Sequence, residues 1–385
     1  MFISIGGKKL LGSSESRYIA LFAMVLILCG QPWRQTGLMS LGTWLIFLAA
    51  FYDLLKAASM RFLNRPTILL LCILMLSFFS LLASADFSYK SLVALFCFWE
   101  IPIFMQFSTQ NVSKSFKEKL YYVFLGLAAY YVFLALSSIS HDYMGPYGIV
   151  QLDELTLGYT NPNQTGMYLL ICFFILLSAA AYFQKRWLRH LYIGAAIIIG
   201  TLIFATNSRS CVLLAAAYAF YYVFFSKKTS ARTIGMIAKI AFFLPIILFI
   251  FIVFFQQAAQ SILVMGEDFD TGRATIFSDV FTNYDLVKFL LGDYSSHQFE
   301  NLHNAYLSIF ATAGFFVALL YVVFLRNKFL EIHKTAKQRH QQLAFVGLIM
   351  LIVHMSVEAA FFTAGSVYAV SVMCLAWISS EKYED

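Results

Sequence analysis

Charge is what this sequence has least of. Only 12% of its 385 residues are charged, against about 25% in soluble domains. With 61% hydrophobic and 18% aromatic residues and a mean hydropathy of +0.75, that scarcity excludes an ordinary soluble domain. The ten-residue apolar–polar alternation of a membrane barrel is missing as well. Six cysteines (Cys29, Cys72, Cys97, Cys172, Cys211, Cys374) form no CxxC pair and no Cys/His cluster, so neither a disulfide framework nor a metal site is expected. The net charge of +7 sits in short clusters between apolar segments. That pattern orients spans in a bilayer and gives no reason to expect a nucleic-acid partner.

What the chain does have is apolar segments. Twelve recur, near 17–31, 37–55, 67–84, 89–108, 120–139, 165–183, 190–205, 210–226, 239–256, 304–325, 343–362 and 364–380. The expectation is an all-α, polytopic integral membrane protein, one domain over 1–385 with about 12 transmembrane helices. Several segments fall short of the ~20 residues of a full span, which allows tilting, local thinning or incomplete crossing. The stretch from Tyr18 to Gly30 follows a basic start without a small-residue cleavage site, so it reads as a retained first helix.

Alternating the connections between two sides places all but five of the 27 Lys and Arg residues on one side; Arg34, Lys90, Arg209, Arg273 and Lys288 remain on the other. By the positive-inside rule both termini are cytoplasmic. Two long connections, 140–164 and 257–303, then lie outside. The second carries seven acidic residues against Arg273 and Lys288. Loops of that length are uncommon unless functional or disordered. The aromatic and aliphatic residues of "ATIFSDVFTNYDLVKFLLGDY" predict short helices on the outer face. Any chemistry is expected there.

A few polar residues need an explanation. Arg209, in "FATNSRSCVLLAAAYAF", lies between two apolar spans with almost no loop, where an arginine is costly unless paired or hydrated. It is either a snorkelling anchor or a guanidinium offered to an anionic lipid head. Its planar fork suits phosphate oxygens, and Ser208 and Ser210 add hydroxyl donors. Arg273, in "DFDTGRATIF", either pairs with Asp268 or Asp270 on a surface or supplies positive charge for a phosphate. His303 opens a long apolar segment. It is an interfacial histidine or a general base for an attacking hydroxyl, a role worth about 10²–10⁴-fold. Asn304 is the N-cap of the helix that follows and fixes where His303 points.

Glu100, beside Pro102 in "FCFWEIPIF", is an intramembrane carboxyl: a proton-relay group, or a protonated side chain bonded to a carbonyl freed by the proline. The second is favoured. His354 and Glu358, in "LIVHMSVEAAFF", are four apart on one helix face near the outer surface, lining a cavity or tying two helices. Asn161-Pro162-Asn163 in "YTNPNQTGMYLL" is turn punctuation before a span.

Taken together, "TNSRS", "TGRATIF", "LHNAYLSIFATAG" and the H-x-x-x-E of the penultimate segment resemble the O-antigen polymerase/ligase superfamily of bacterial envelope glycosyltransferases. "TNPNQTG" is similar to the loop before a central span in many of its members. The likeness covers roughly residues 155–365, and the first five spans are generic. It implies a GT-C-like membrane enzyme with no cofactor and no required metal. Its donor would be an oligosaccharide on undecaprenyl diphosphate, transferred to a glycan acceptor at the outer face of the bacterial cytoplasmic membrane.

In that resemblance Arg209 and Arg273 bind the diphosphate, His303 acts on the acceptor hydroxyl, and Asn304, Ser208, Ser210, His354 and Glu358 contribute to substrate binding. A chain-length regulator and a flippase of the same pathway are the implied partners. Polymerase is preferred over ligase, because "TNPNQTG" looks more like capsule and exopolysaccharide polymerases. A polysaccharide flippase or other 12-span transporter is the reading from a different class. It would place essential charges such as Glu100 inside the bundle.

Overall fold

Apolar runs become helices along the whole chain. The computed structural model describes residues 14–59, 64–84, 88–140, 150–151, 154–159, 162–254, 263–264, 267–268, 284–294, 304–356, 358 and 366–380. The first five helices are α1 (Ser14–Gly30), α2 (Thr36–Ser59), α3 (Arg65–Ala83), α4 (Tyr89–Phe107) and α5 (Lys114–Ser140). A two-residue hairpin, β1 (Val150–Gln151) with β2 (Glu154–Leu155), leads to α6 (Pro162–Tyr182), α7 (Arg186–Ala205) and α8 (Arg209–Phe220). Then come α9 (Ala231–Ala241), α10 (Leu244–Phe254), a second two-residue hairpin of β3 (Leu263–Val264) and β4 (Glu267–Asp268), and α11 (Leu286–Leu291). The chain closes with α12 (Ala305–Thr335), α13 (Arg339–His354) and α14 (Ser366–Ser379).

This is the architecture of a helical membrane protein. Seven helices (α1, α2, α3, α5, α6, α7 and α12) are long and apolar enough to cross a membrane, and three shorter apolar ones cover Ser91–Phe107, Arg209–Phe225 and Ser366–Ser379. The expected segment 239–256 is instead two helices that part at Phe242 and Phe243. Pro245 offers no N–H to continue the ladder of α9. The segment expected at 343–362 starts earlier, at Arg339, and its helix stops at His354.

The bundle is layered by burial. α6 and α14 are buried on nearly every side, as helices apolar all round should be. α2 and α7 turn large apolar side chains outward, among them Leu48, Leu55, Ile197 and Phe204.

The helix ends that the charge pattern assigns to one side do meet. At the basic end, Arg17 donates from Nε to the Ser108 carbonyl at 2.7 Å and from its other nitrogens to Gln110 and Asn111. There Trp377 Nε1 donates to Ser108 Oγ (2.9 Å), Lys117 donates to the Ser380 carbonyl, and Arg339 Nη2 donates to Ser226 Oγ (2.8 Å). At the opposite end, Trp33 Nε1 donates to Tyr130 Oη (2.8 Å) and Gln31 Nε2 to Gln164 Oε1 (3.1 Å). Ser91 Oγ donates to the Tyr294 carbonyl there at 3.4 Å.

Two features shape this opposite end. First, α12 is sharply bent. In a straight helix Tyr306 and Phe329 would stand roughly 34 Å apart, at 1.5 Å per residue. Yet Tyr306 Oη donates to the Phe242 carbonyl at 3.1 Å, while the Phe242 ring meets that of Phe329 edge-on at 5.2 Å. The bend is at Gly314 (φ 84°, ψ 172°), a conformation open to glycine. A side chain at Gly314 would overlap the Leu290 carbonyl, and one at Gly292 (φ 80°) would overlap that of Thr312.

Second, α13 and α14 are short. Their basic ends are tied level by Gln341 Nε2, which donates to the Ser380 carbonyl at 3.4 Å. At 1.5 Å per residue they rise about 24 and 21 Å, against about 31 Å for α6. The end of α13 at His354 and the start of α14 at Ser366 therefore lie below the level that α6 reaches.

Candidate functional site

The candidate site is assembled at the ends of α8, α12 and α13. Between α7 and α8 the chain turns in three residues, Thr206, Asn207 and Ser208, with Asn207 left-handed (φ 54°). Thr206 Oγ1 accepts from the Ser208 N–H at 3.3 Å. Arg209 is then the first residue of α8, half-buried, with Ser210 and Cys211 in the same turn.

Five of the described helix starts carry a side-chain cap, whereas α7, behind Lys185, does not. Asn64, Ser88, Ser230, Asp285 and Asn304 each cap their helix with a side-chain oxygen. Ser208 does not: its hydroxyl is buried and makes no hydrogen bond among the described residues. The first-turn N–H groups of α8 thus lack the usual side-chain acceptor. A cation at the first helical position also opposes the helix dipole. α7 likewise starts uncapped with Arg186; what sets the start of α8 apart is its buried Ser208 hydroxyl and the close packing of Gly166 and His354 against it.

Two other elements press on this turn. Gly166 of "TNPNQTG" packs so closely that a side chain there would come within 2.9 Å of Ser208 Cβ and 3.2 Å of Cys211 Sγ. From the other side His354, the last residue of α13 and 1% exposed, places Nε2 3.2 Å from Ser210 Oγ and 3.7 Å from Cys211 Sγ. The negative end of α13 thereby faces the positive end of α8.

Just past His354, the Met355 carbonyl accepts from the Ala305 N–H at 2.9 Å and the Ser356 carbonyl from Asn304 Nδ2 at 3.5 Å. Asn304 is 1% exposed. Its Nδ2 also donates to the Pro245 carbonyl (3.2 Å), and its Oδ1 accepts from the Leu307 N–H (3.1 Å). Its amide is committed to protein partners, so Asn304 acts by pinning the start of α12 against α10 and α13.

Ser208, Arg209, Ser210, His354 and Asn304 are thus brought together at three helix ends. Glu358 is nearby: its N–H donates to the His354 carbonyl at 2.9 Å. The two do not share a helix, as the sequence suggests, because α13 has already ended; one helix-type backbone bond keeps them a turn apart. His303 and Arg273 lie outside the described residues.

Glu100 is placed elsewhere. It is buried on α4, and Oε1 accepts from Ser366 Oγ, at the start of α14, at 2.7 Å. Its other oxygen has no hydrogen-bond partner among the described residues. The expected bond to a carbonyl freed by Pro102 is therefore not what is found; a hydroxyl of another helix takes its place. Among the described residues no group of three or more His, Cys, Asp and Glu is placed to hold a metal ion.

Sequence reasoning missed Gly166, Cys211 and Ser356 as parts of the site. Gly166 had a legible signal, since a glycine just inside a helix start marks close approach. Cys211 and Ser356 had none. No family model, curated protein or solved structure matches this chain.

Proposed function

We propose that the chain polymerises oligosaccharide repeat units carried on undecaprenyl diphosphate, at the external face of a bacterial cytoplasmic membrane, with both termini cytoplasmic. The observation that carries this reading is the arginine-led start of α8, with its buried Ser208 hydroxyl, packed against His354. It suits an anion held at the membrane. The sequence motifs shared with the O-antigen polymerase/ligase superfamily supply the rest.

In this mechanism the acceptor hydroxyl attacks the anomeric carbon of the donor. Its oxygen forms the new glycosidic bond as the bond from that carbon to the diphosphate oxygen breaks. The electron pair leaves with the diphosphate. Arg209, Ser208, Ser210 and the α8 N–H groups offset the charge as it develops, which is where preorganised donors contribute most. Arg273 adds a second cation, and His303 takes the hydroxyl proton. Inversion at the sugar carbon follows from the single in-line attack.

The test is genetic and chemical together. Arg209→Ala or His303→Ala, in a strain lacking the native protein, is expected to leave single lipid-linked units and no long chains. Long chains of normal length would sink the polymerase reading. Long lipid-linked chains that never reach a final acceptor would make the protein a ligase. Single units trapped on the cytoplasmic face would make it a flippase.

A further inference from the structure

Where the second outer connection rejoins the bundle, α11 leaves one side uncovered. Leu286 is 72% and Val287 61% exposed. Helical spacing sets Leu286 and Leu290 on one face and Lys288 on the other. Lys288 there pairs with Asp293 at 2.9 Å.

The inner contacts of α11 fix its height. Ser80 of α3 donates to the Leu291 carbonyl, the Asp293 N–H donates to Ala311 of α12 (2.8 Å), and the Tyr294 N–H to Ser84 Oγ (3.0 Å). The Phe289 ring stacks on Phe315 at 5.6 Å, just past the bend of α12. The helix therefore lies at the last turn of α3. Exposed Tyr89, two residues before the Ser91 that bonds Tyr294, marks the same level. Tyrosines and tryptophans gather at the headgroup boundary of spans.

The uncovered face continues into lipid-facing surface on both neighbours. Phe79 and Leu82 are exposed at the end of α3, and Phe315, Phe316 and Leu319 below the bend of α12. Both α3 and α12 are long and apolar enough to cross a bilayer. A six-residue helix, about 9 Å long, cannot span one. An apolar face opposite a charged one is the signature of a helix lying in the interface.

We infer that α11 is embedded in the outer leaflet, with Leu286 and Val287 covered by lipid acyl chains. The helix tethers the second outer connection to the membrane surface. The inference stands on exposure and height alone and is independent of the reaction assigned to the chain.

The test is photocrosslinking in intact membranes. p-Benzoylphenylalanine is placed separately at Leu286, at Val287, at the span position Phe79 and at exposed Asn163 beside the start of α6. The expected result at Leu286 and Val287 is a mass gain of one phospholipid, as at Phe79, and none at Asn163. A dimer-sized product would assign the face to a second copy, and an adduct with another protein would assign it to a partner; either overturns the inference. So does the absence of any lipid adduct at both positions while Phe79 gives one. The two neighbouring positions guard against a single substitution that fails to accumulate.

Discussion

Ser210 Oγ stands 3.2 Å from Nε2 of His354. The contact joins the first turn of α8 to the last residue of α13, two helix ends of opposite partial charge. Ser210→Ala and His354→Ala are each expected to reduce chain synthesis, and the double variant to be little worse than the worse single one. Residues in one hydrogen-bonded unit couple by about 0.5–3 kcal/mol. Fully additive losses in a double-mutant cycle would show that the pair does not act together.

Arg209 tests geometry apart from charge. Arg209→Lys keeps the cation but loses the planar fork that grips two phosphate oxygens. A loss on the order of tenfold is expected for Arg209→Lys, and about 10²–10³-fold for Arg209→Ala, the scale for one charge-stabilising donor. Transfer rates measured in proteoliposomes at saturating lipid-linked donor would read both. Equal rates for Arg209→Lys and the native chain would reduce Arg209 to a point charge or an anchor.

Gly314→Ala and Gly292→Ala should each destabilise the bend of α12, by about 1–3 kcal/mol or more for a strained backbone. Gly194, which has open space around its missing side chain, is the control. Gly194→Ala is expected to leave the melting temperature in detergent unchanged or slightly raised. Equal melting temperatures for all three variants would mean that the bend is not held by backbone contact.

Glu100 bonds Ser366 through an oxygen that glutamine also carries. Glu100→Gln is therefore expected to keep membrane abundance and activity near native. Glu100→Leu leaves the Ser366 hydroxyl only its weak contact with Cys97 Sγ at 3.5 Å and should cost about 1–3 kcal/mol. If Glu100→Gln is as damaging as Glu100→Leu, the group is needed for its proton or its charge, as a relay would be.

The hydrogen bond from Lys288 to Asp293 holds the ammonium above its usual pKa. A raised lysine adds stability that is complete below its unfolded value of 10.5 and is lost only as pH climbs through the folded one. Lipid crosslinking at Leu286 should thus be level between about pH 6 and about pH 9. A steady fall across that range would mean that another group controls how α11 sits.

Much of this was readable from the residues themselves. Arg17, Lys117 and Arg339, which the charge count puts on one side, each bond a residue at another helix end. The Asn304 cap followed from its place before an apolar run. The segment lengths did not. Phe242 and Phe243 are as apolar as their neighbours, so the break there depends on Pro245. The bend at Gly314 depends on the Leu290 carbonyl, 24 positions earlier in the chain. The end of α13 at His354 is fixed by Ala305 and Asn304, which take the carbonyls of Met355 and Ser356. Long-range contacts of this kind leave no periodicity to read. Of the candidate site, arginine and serines stood out because charge is rare; Gly166 and Ser356 did not.

The shortness of α13 and α14 also has an electrical side. Across a membrane the potential falls through the insulating layer, at ~2.3 kcal/mol per elementary charge for each 100 mV. The end of α13 at His354 stands about 24 Å from the basic end at most, within a hydrocarbon layer of about 30 Å. Under the proposed function, a doubly charged anion seated beside it would have entered on the order of a fifth of that field, at about 1 kcal/mol per 100 mV. With the basic end facing the negative compartment, the field opposes the anion's entry and favours its departure. Occupancy of the site beside His354 should rise when vesicles are uncoupled, and a binding signal indifferent to voltage would place the anion outside the field.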